Sequence, residues 1–400
     1  MQSGAVRSRN HELCAKIAQE PLILRRLTVS IADLPDWSEI GARVAFARHA
    51  HNLTQAALAG RIGVDRSALA RIESGSRQLS ALELAALARA TDLPIDWFIG
   101  DSVPVVASRR VGNLHGPTIV DMRVDVLARD VAQMLDMDLI RAPASRLALS
   151  VPQDVAAAEE AASEVRAHLG LEAGPAINLA AVAESLGVFA YSLELEASAA
   201  DGAYVAISDR LGVALLNGTQ ASARRRFTLA HEIGHHVFQD AYAVDLEATG
   251  RSETERLIDA FAIHLLLPRH TLERRWRELG GGDEPRSAAI VIGAEYRLSW
   301  TALCGHLVNL GLVERPQGDV MRDALPRGWE FAELGVHIVE ELAAPMVPRS
   351  IVRAALRGYR THRLGVGRTL ELLHGTLSED DLPERDPVPL AALAGELRSA

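Results

Sequence analysis

A chain of 400 residues with 48% hydrophobic side chains is long and apolar enough to build two or three domains, each with its own core. A formal net charge of −10 excludes a protein that coats nucleic acid by bulk charge, and the two cysteines, Cys14 and Cys304, exclude a disulfide framework and are not spaced as a zinc pair, so both are expected as free thiols. Met1 to Glu20 has charged and polar residues spread throughout, without the apolar stretch of a signal peptide, and no later run reaches transmembrane length; a cytoplasmic protein without membrane contact is expected.

Residues 1–38 read as an N-terminal extension, and a distinct pattern begins at Glu39 and runs to Gly100. Apolar residues recur at helical spacing through Ile40, Val44 and Ala47, then Leu58, Ala59 and Ile62, then Ala68, Leu69 and Ile72, then Leu84, Leu87 and Ala88, which predicts five short helices. Thr54 carries a cap-type hydroxyl, Gly63 breaks its helix, Asp65 can cap the next, and that one ends before Ser74-Gly75. This is the spacing of a helix-turn-helix. Leu53-Thr54-Gln55-Ala56-x-Leu58-Ala59, Gly63-Val64 and Leu69-Ala70-Arg71-Ile72-Glu73-Ser74-Gly75-x-Arg77 resemble the XRE, or Cro/repressor-like, DNA-binding family. The resemblance implies a double-stranded DNA operator as partner, with the second helix in the major groove and its N-terminal residues at base edges. Arg66 and Ser67 are the candidates for that reading, Gln55 and Arg77 lie nearer phosphates, and Arg71 is phosphate-directed or structural, paired with Glu73. Such domains often act as dimers, so a homodimer is expected too. A small helical protein-interaction module is the competing reading. Phosphate contacts need local cations only, and Arg61, Arg66, Arg71 and Arg77 stand apart from acidic stretches such as Glu379 to Asp381.

Residues 101–151 form a connector interrupted by Pro104, Gly116-Pro117 and Pro143, with helical spacing from Val120 to Leu139. A domain over 152–313 then opens on an alanine- and glutamate-rich helix from Val155 to Leu169. Tyr204 to Ser208 and Val213 to Leu216 flank Asp209-Arg210-Leu211-Gly212 as a β-hairpin. An exposed strand there offers an edge on which an extended peptide can add. Tyr204 reads either as a polarising group or as an ordinary sheet tyrosine.

Downstream, Arg226-Phe227-Thr228-Leu229-Ala230-His231-Glu232-Ile233-Gly234-His235 carries the chemistry. Side chains four apart on a helix lie one above the other, so His231 and His235 can offer ring nitrogens to one zinc ion per chain. Glu232 can take the proton of a water acidified by that metal, which describes metal-assisted hydrolysis. A surface helix with two unrelated histidines is the alternative; the apolar Phe227, Leu229, Ala230, Ile233, Val237 and Phe238 place the helix in a core instead. Metzincins continue with Gly and a third His, where this chain has Phe238 and Ala241. A gluzincin-like site draws a Glu from a following helix, and Glu255 supplies one, with Asp259 on the same face to orient a ligand imidazole. Glu253 and Asp240 remain alternative ligands. His236 and His264 point away from this face and read as packing or surface histidines.

Phe227 to His235, Glu255-x-x-x-Asp259-x-Phe261-Ala262 and Leu265-Leu266-Leu267-Pro268 together resemble the ImmA/IrrE family of metallopeptidases. The similarity extends upstream through Glu164 to Leu171, Pro175-x-x-Asn178-Leu179 and Glu184 to Val188. This chain departs from the family at Leu257, where members commonly carry a second Glu, so its site depends on Glu255 alone. The resemblance implies a zinc peptidase that cleaves or inactivates a repressor. Ser287 to Val313 carries a second helix-turn-helix-like pattern, for which packing is the expected role, and Gly365-Val366-Gly367 lacks the context of a phosphate loop. Residues 314–400 read as a helical region, with two helices between Val347 and Leu377. The expected fold is mainly α with a small β-sheet: a five-helix reader, a zincin-like domain and a helical C-terminal region. The competing function is a transcription factor whose metal domain senses or dimerises and turns over nothing.

Overall fold

A computed structural model describes residues 35–100, 107–110, 118–144, 146–171, 174–195, 199–239 and 248–387. Cys14 and Asp240 lie outside the described residues. The described residues begin with five helices: α1 (Trp37–Ala50), α2 (Gln55–Ile62), α3 (Arg66–Glu73), α4 (Ala81–Thr91) and α5 (Ile95–Ile99). Helices this short are marginal alone, so their stability comes from capped ends and a shared core. Thr54 Oγ1 accepts from Ala57 N at 3.1 Å, Asp65 Oδ1 accepts from Ala68 N at 2.6 Å, and Ser80 with Glu83 forms a capping box. Gly63 ends α2 at φ 75°, a backbone that glycine adopts without strain. Val44, Leu58, Leu69, Ile72, Leu87 and Phe98 fill the core between the helices.

The next described elements are the strand β1 (Ala107–Arg110) and the helix α6 (Ile119–Asp136). Helix α6 belongs to two cores: Met122 packs among the first five helices, while Val124, Leu127, Val131 and Met134 pack against a sheet. After α7 (Val155–His168) and α8 (Leu179–Ser185) the chain forms β2 (Val188–Leu193), β3 (Gly202–Ser208) and β4 (Leu211–Asn217). The sheet order is β1-β3-β4-β2, with β2 parallel to β4 and the other neighbours antiparallel. The expected hairpin is β3–β4, two residues longer at its start and turning at Asp209-Arg210, with a register shift between Ala206 and Ser208.

Alternation along the strands sorts the sheet's two faces. Ala190, Tyr204, Ala206, Ala214 and Leu216 face one core; Phe189, Tyr191, Ala203, Val205, Val213 and Leu215 face the other. The first core is built with α9 (Ser222–Phe238), α10 (Ala248–Leu266), α11 (Arg269–Glu278), α12 (Pro285–Tyr296) and α13 (Trp300–Asn309). Leu303 and Leu307 of α13 are buried there, so the second helix-turn-helix-like pattern serves packing. Then come α14 (Arg315–Asp323), α15 (Gly328–Glu333), α16 (Arg349–Arg360) and α17 (Val366–Leu373). Ile351, Ala354, Ala355, Leu372 and Leu373 of the last two cover the sheet's opposite face beside α6. Ser192 and Met346 exchange backbone hydrogen bonds of 3.0 and 2.8 Å, which closes the outer edge of β2 with the C-terminal region.

Candidate metal centre and nucleic-acid interface

Helix α9 passes beneath the sheet with almost every residue buried. Leu229, Ala230, Ile233 and Val237 belong to the core, which fixes the rotation of the helix and with it the direction of His231, Glu232 and His235. Gly234 marks the crossing with α10: a Cβ there would lie 2.7 Å from Ile258 Cγ2 and 3.1 Å from Phe261 Cδ1. The absent side chain lets the two helices approach, and the approach carries Glu255 to the histidines.

His231 Nε2 and His235 Nε2 lie 3.0 Å apart, Glu255 Oε2 is 3.1 Å from His231 Nε2, and Glu255 Oε1 is 3.7 Å from His235 Nε2. Ligand atoms held at about 2.0–2.1 Å around a tetrahedral zinc sit roughly 3.3 Å from one another. The three donors, two nitrogens and a carboxylate, therefore fit such an ion, and they are the only such group of three among the described residues. Leu257 offers no carboxylate on this helix turn, and the acidic side chain that lies with the two histidines is Glu255. Glu253 is exposed and outside the group.

Asp259 stands one turn beyond Glu255, its Oδ1 2.9 Å from His231 Nδ1. Donation from Nδ1 to this carboxylate leaves the Nε2 lone pair aimed at the ligand cluster. Burial alone would depress the basicity of His231, yet hydrogen bonds to Asp259 and Glu255 and the charges of Glu232 and Asp259 push its pKa up to about 9. The pocket's field favours positive charge. Glu232 is fully buried beneath β3: a side chain at Gly202 would start 3.6 Å from its Oε1.

The buried histidines His236, His264 and His306 serve packing. His236 Nδ1 meets the Tyr204 hydroxyl at 2.6 Å and its Nε2 donates to Leu186 O at 2.9 Å, which joins α9 to the sheet and commits Tyr204 to a structural bond. Burial lowers the pKa of His236 to about 4. His264 stacks edge-on against His306, whose Nε2 donates to Leu267 O at 3.0 Å. Cys304 is buried and its thiol is pushed up to about 11 by that burial.

One cluster was not legible in the sequence. Helix α9 has no side-chain N-cap; instead Ser222 Oγ accepts from Glu341 N at 2.8 Å, and Arg225 Nη2 reaches Glu341 O at 2.9 Å. The Glu341 carboxylate binds Arg226, accepts from Arg297 Nη1 at 2.9 Å and caps Leu179 N at 2.8 Å. Burial opposes its charge, but Arg226 and the hydrogen bonds hold the carboxyl below the usual range. The start of the metal helix is thus anchored by the C-terminal region.

In the N-terminal unit, α3 presents Arg66, Ser67 and Arg71 to solvent, with Arg61 exposed on α2. Ser67 Oγ donates to Asp65 Oδ1 at 2.7 Å, which braces the start of α3. The pairing expected between Arg71 and Glu73 does not form, because both Glu73 oxygens are taken: Oε1 by Arg48 Nε at 2.6 Å, Oε2 by Arg48 Nη2 at 3.1 Å and Gln55 Nε2 at 2.8 Å. Gln55 is therefore tied to the scaffold, and half-buried Arg77 is held by Glu83 at 2.7 Å.

Comparison with known families gives two matches. Residues 45–98 match the helix-turn-helix family and residues 183–307 a peptidase family described as the IrrE N-terminal-like domain. No curated protein matches the chain. The chain joins a helix-turn-helix domain to an IrrE/ImmA-like peptidase-family domain.

Proposed function

We propose that this fusion is a DNA-binding transcriptional regulator whose second domain is a zinc-dependent peptidase that cuts a repressor or another regulator protein. The observation that carries the reading is the convergence of His231, His235 and Glu255, with Asp259 behind one imidazole and buried Glu232 beside it. A structural metal site has no use for that extra buried acid. One zinc ion per chain, held by the three side chains, would supply the Lewis acidity that polarises a peptide carbonyl and acidifies an attacking water. Glu232 takes the proton of that water and passes it to the departing amine. Asp259 keeps His231 in the tautomer that ligates. The surrounding core excludes bulk water from the carboxylate, which strengthens each of these interactions.

The first domain supplies the address on double-stranded DNA. Arg66 and Ser67 at the start of α3 reach base edges, exposed Arg71 reaches phosphate, and Gln55 and Arg77 support the backbone contacts from positions braced by Glu73 and Glu83. A homodimer would place two such helices on one operator. Tethering then concentrates the peptidase around a DNA-bound substrate. Among the described residues no helix is long and apolar enough to cross a membrane, and the work proposed is cytoplasmic.

The test is a pair of substitutions followed in the cell and in the tube. His231→Ala should empty the site of zinc, whereas Glu232→Gln should keep about one zinc per chain while cleavage of the regulator falls by about 10²–10⁴-fold. Comparing the proteins cut in cells that carry either chain identifies the substrate. Gene control by Glu232→Gln equal to that by the wild type would sink the enzyme and leave a metal-dependent sensor.

A further inference from the structure

The outer side of β3, the strand that passes Glu232, is already filled. Strand β3 pairs on one side with β4 and on the other with β1, in the register Ala107↔Val205, Ser108↔Tyr204, Arg109↔Ala203 and Arg110↔Gly202. β1 also contacts α9. It comes from the stretch between the two matched domains, 95 residues before its partner strand starts, counting Ala107 to Gly202. Its direction matters. Antiparallel pairing carries the segment toward Gly202, the point at which β3 passes Glu232, with a would-be Cβ 3.6 Å from the Glu232 carboxylate. An extended peptide offered to the catalytic acid along β3 would need the same row of backbone donors and acceptors. The pairing is also short, with four partner pairs against six between β2 and β4, so it belongs to the part of the sheet that opens most readily.

We infer that residues 107–110 occupy the peptide-binding edge of β3 in cis, so that the chain's own connector competes with substrate and the peptidase works only when β1 is displaced. This regulation rests on the peptidase reading above. It requires no chemical step of its own: a strand leaves, and another polypeptide takes its backbone hydrogen bonds. The tether gives β1 an effective concentration of about millimolar, so substrates that bind weakly are excluded until the tethered strand is released.

Two opened chains test this in the full-length, zinc-loaded protein. Successive N–H groups in a strand point to opposite sides, so Ser108→Pro with Arg109→Pro must remove one that faces β3. A second version replaces 107–110 by Gly-Ser-Gly-Ser and spares the backbone of any proline strain. The probe is a fluorescein-labelled synthetic peptide of residues 104–112, with affinity read by anisotropy in the Glu232→Gln background so that it is not consumed. The opened chains should bind it at least about 10-fold more tightly than the unopened chain, and hydrogen exchange at alternate amides of 202–205 should accelerate on opening. Equal affinity in opened and unopened chains overturns the inference. So does wild-type protein in which the outward-facing amides of 202–205 exchange as fast as those of a free edge, a result that needs no variant. With Glu232 intact, cleavage of β-casein separates the two claims. Tighter peptide binding without any cleavage would retire the peptidase and keep the occupied edge; equal cleavage by opened and unopened chains would retire the occupied edge and keep the peptidase.

Discussion

Helices α3 and α9 each carry the side chains of one proposed activity, and they are held in opposite ways. In α9 the active groups point into the protein: His231, Glu232 and His235 are buried, the histidines are aligned by Glu255 and Asp259 from α10, and the helix start is tied to residues beyond 339. In α3 the groups that matter point outward, while Leu69 and Ile72 hold the helix from below and Asp65 caps its start. Cation binding and proton transfer need donors fixed before the substrate arrives, in a medium of low dielectric. Base reading needs donors that remain in water until DNA replaces it. One helix is therefore stabilised by distant parts of the chain and the other by its immediate neighbours.

Acid should expose that difference most strongly. Burial lowers the pKa of both His264 and His306, and each is additionally disfavoured as a cation by a neighbouring positive charge. An unfolded chain would protonate them at about 6.5, so as pH falls below that value the unfolded state takes up protons that the folded state refuses. Stability contributed by these neutral imidazoles is complete above 6.5 and declines toward their lowered values, by up to about 1.4 kcal/mol per pH unit for each. Thermal unfolding of the peptidase half followed from pH 7 to pH 5 should show the decline, and His306→Gln should flatten it. An identical slope in that variant would remove His306 from the groups that carry the acid sensitivity.

Asp259→Ala comes next, because it removes the partner that sets the tautomer of His231 while leaving all three ligands in place. Zinc affinity measured against a competing chelator should fall about 10–100-fold. DNA affinity should not move. An unchanged zinc affinity would show that packing of α9, rather than the carboxylate, orients the imidazole.

What could be read from the sequence follows the same division. The reader was legible because its signals are local: cap, break and apolar spacing repeat within a few residues, and Thr54, Gly63 and Asp65 occupy the positions they announce. The metal cluster was legible because His231 and His235 share a helix face, and Glu255 with Asp259 repeats that arithmetic one helix later. Nothing local announces Glu341, which meets Arg226 across 115 positions of sequence. Nor could the pairing of 107–110 with β3 be read, since a four-residue strand between breaks has no periodicity to measure. The helix at 119–136 was visible as a helix, but its division between two cores depends on which faces the rest of the fold presents. Arg71 was expected to find Glu73, close by in sequence; Arg48 holds that carboxylate from another helix.

On the exposed helix the expected effects are smaller. Arg66→Ala should reduce discrimination at one base pair by about 10-fold, toward the lower part of the range for a good base contact, because an exposed arginine gives up side-chain freedom when it binds. Arg71→Ala should instead weaken all sequences alike and reduce the salt dependence of binding by about one phosphate contact. Operator and random duplexes titrated at two salt concentrations distinguish them. Equal losses on both duplexes for both variants would remove Arg66 from the base-reading role and shift the reading face of α3.

The smallest effect probes the local design of the reader directly. Thr54 Oγ1 satisfies the Ala57 amide at the start of α2, and alanine there leaves that donor to water at a cost of about 1 kcal/mol. Thermal unfolding of the reader should shift down accordingly, while zinc content and the unfolding of the peptidase half remain as in the wild type. The partition follows from where α6 sits: Met122 links it to the reader, but its longer apolar face, Val124 to Met134, lies on the sheet. If Thr54→Ala lowered both transitions together, α6 would be rigidly transmitting reader stability to the sheet, and the contrast between a locally held helix and a distantly held one would give way to a single cooperative unit.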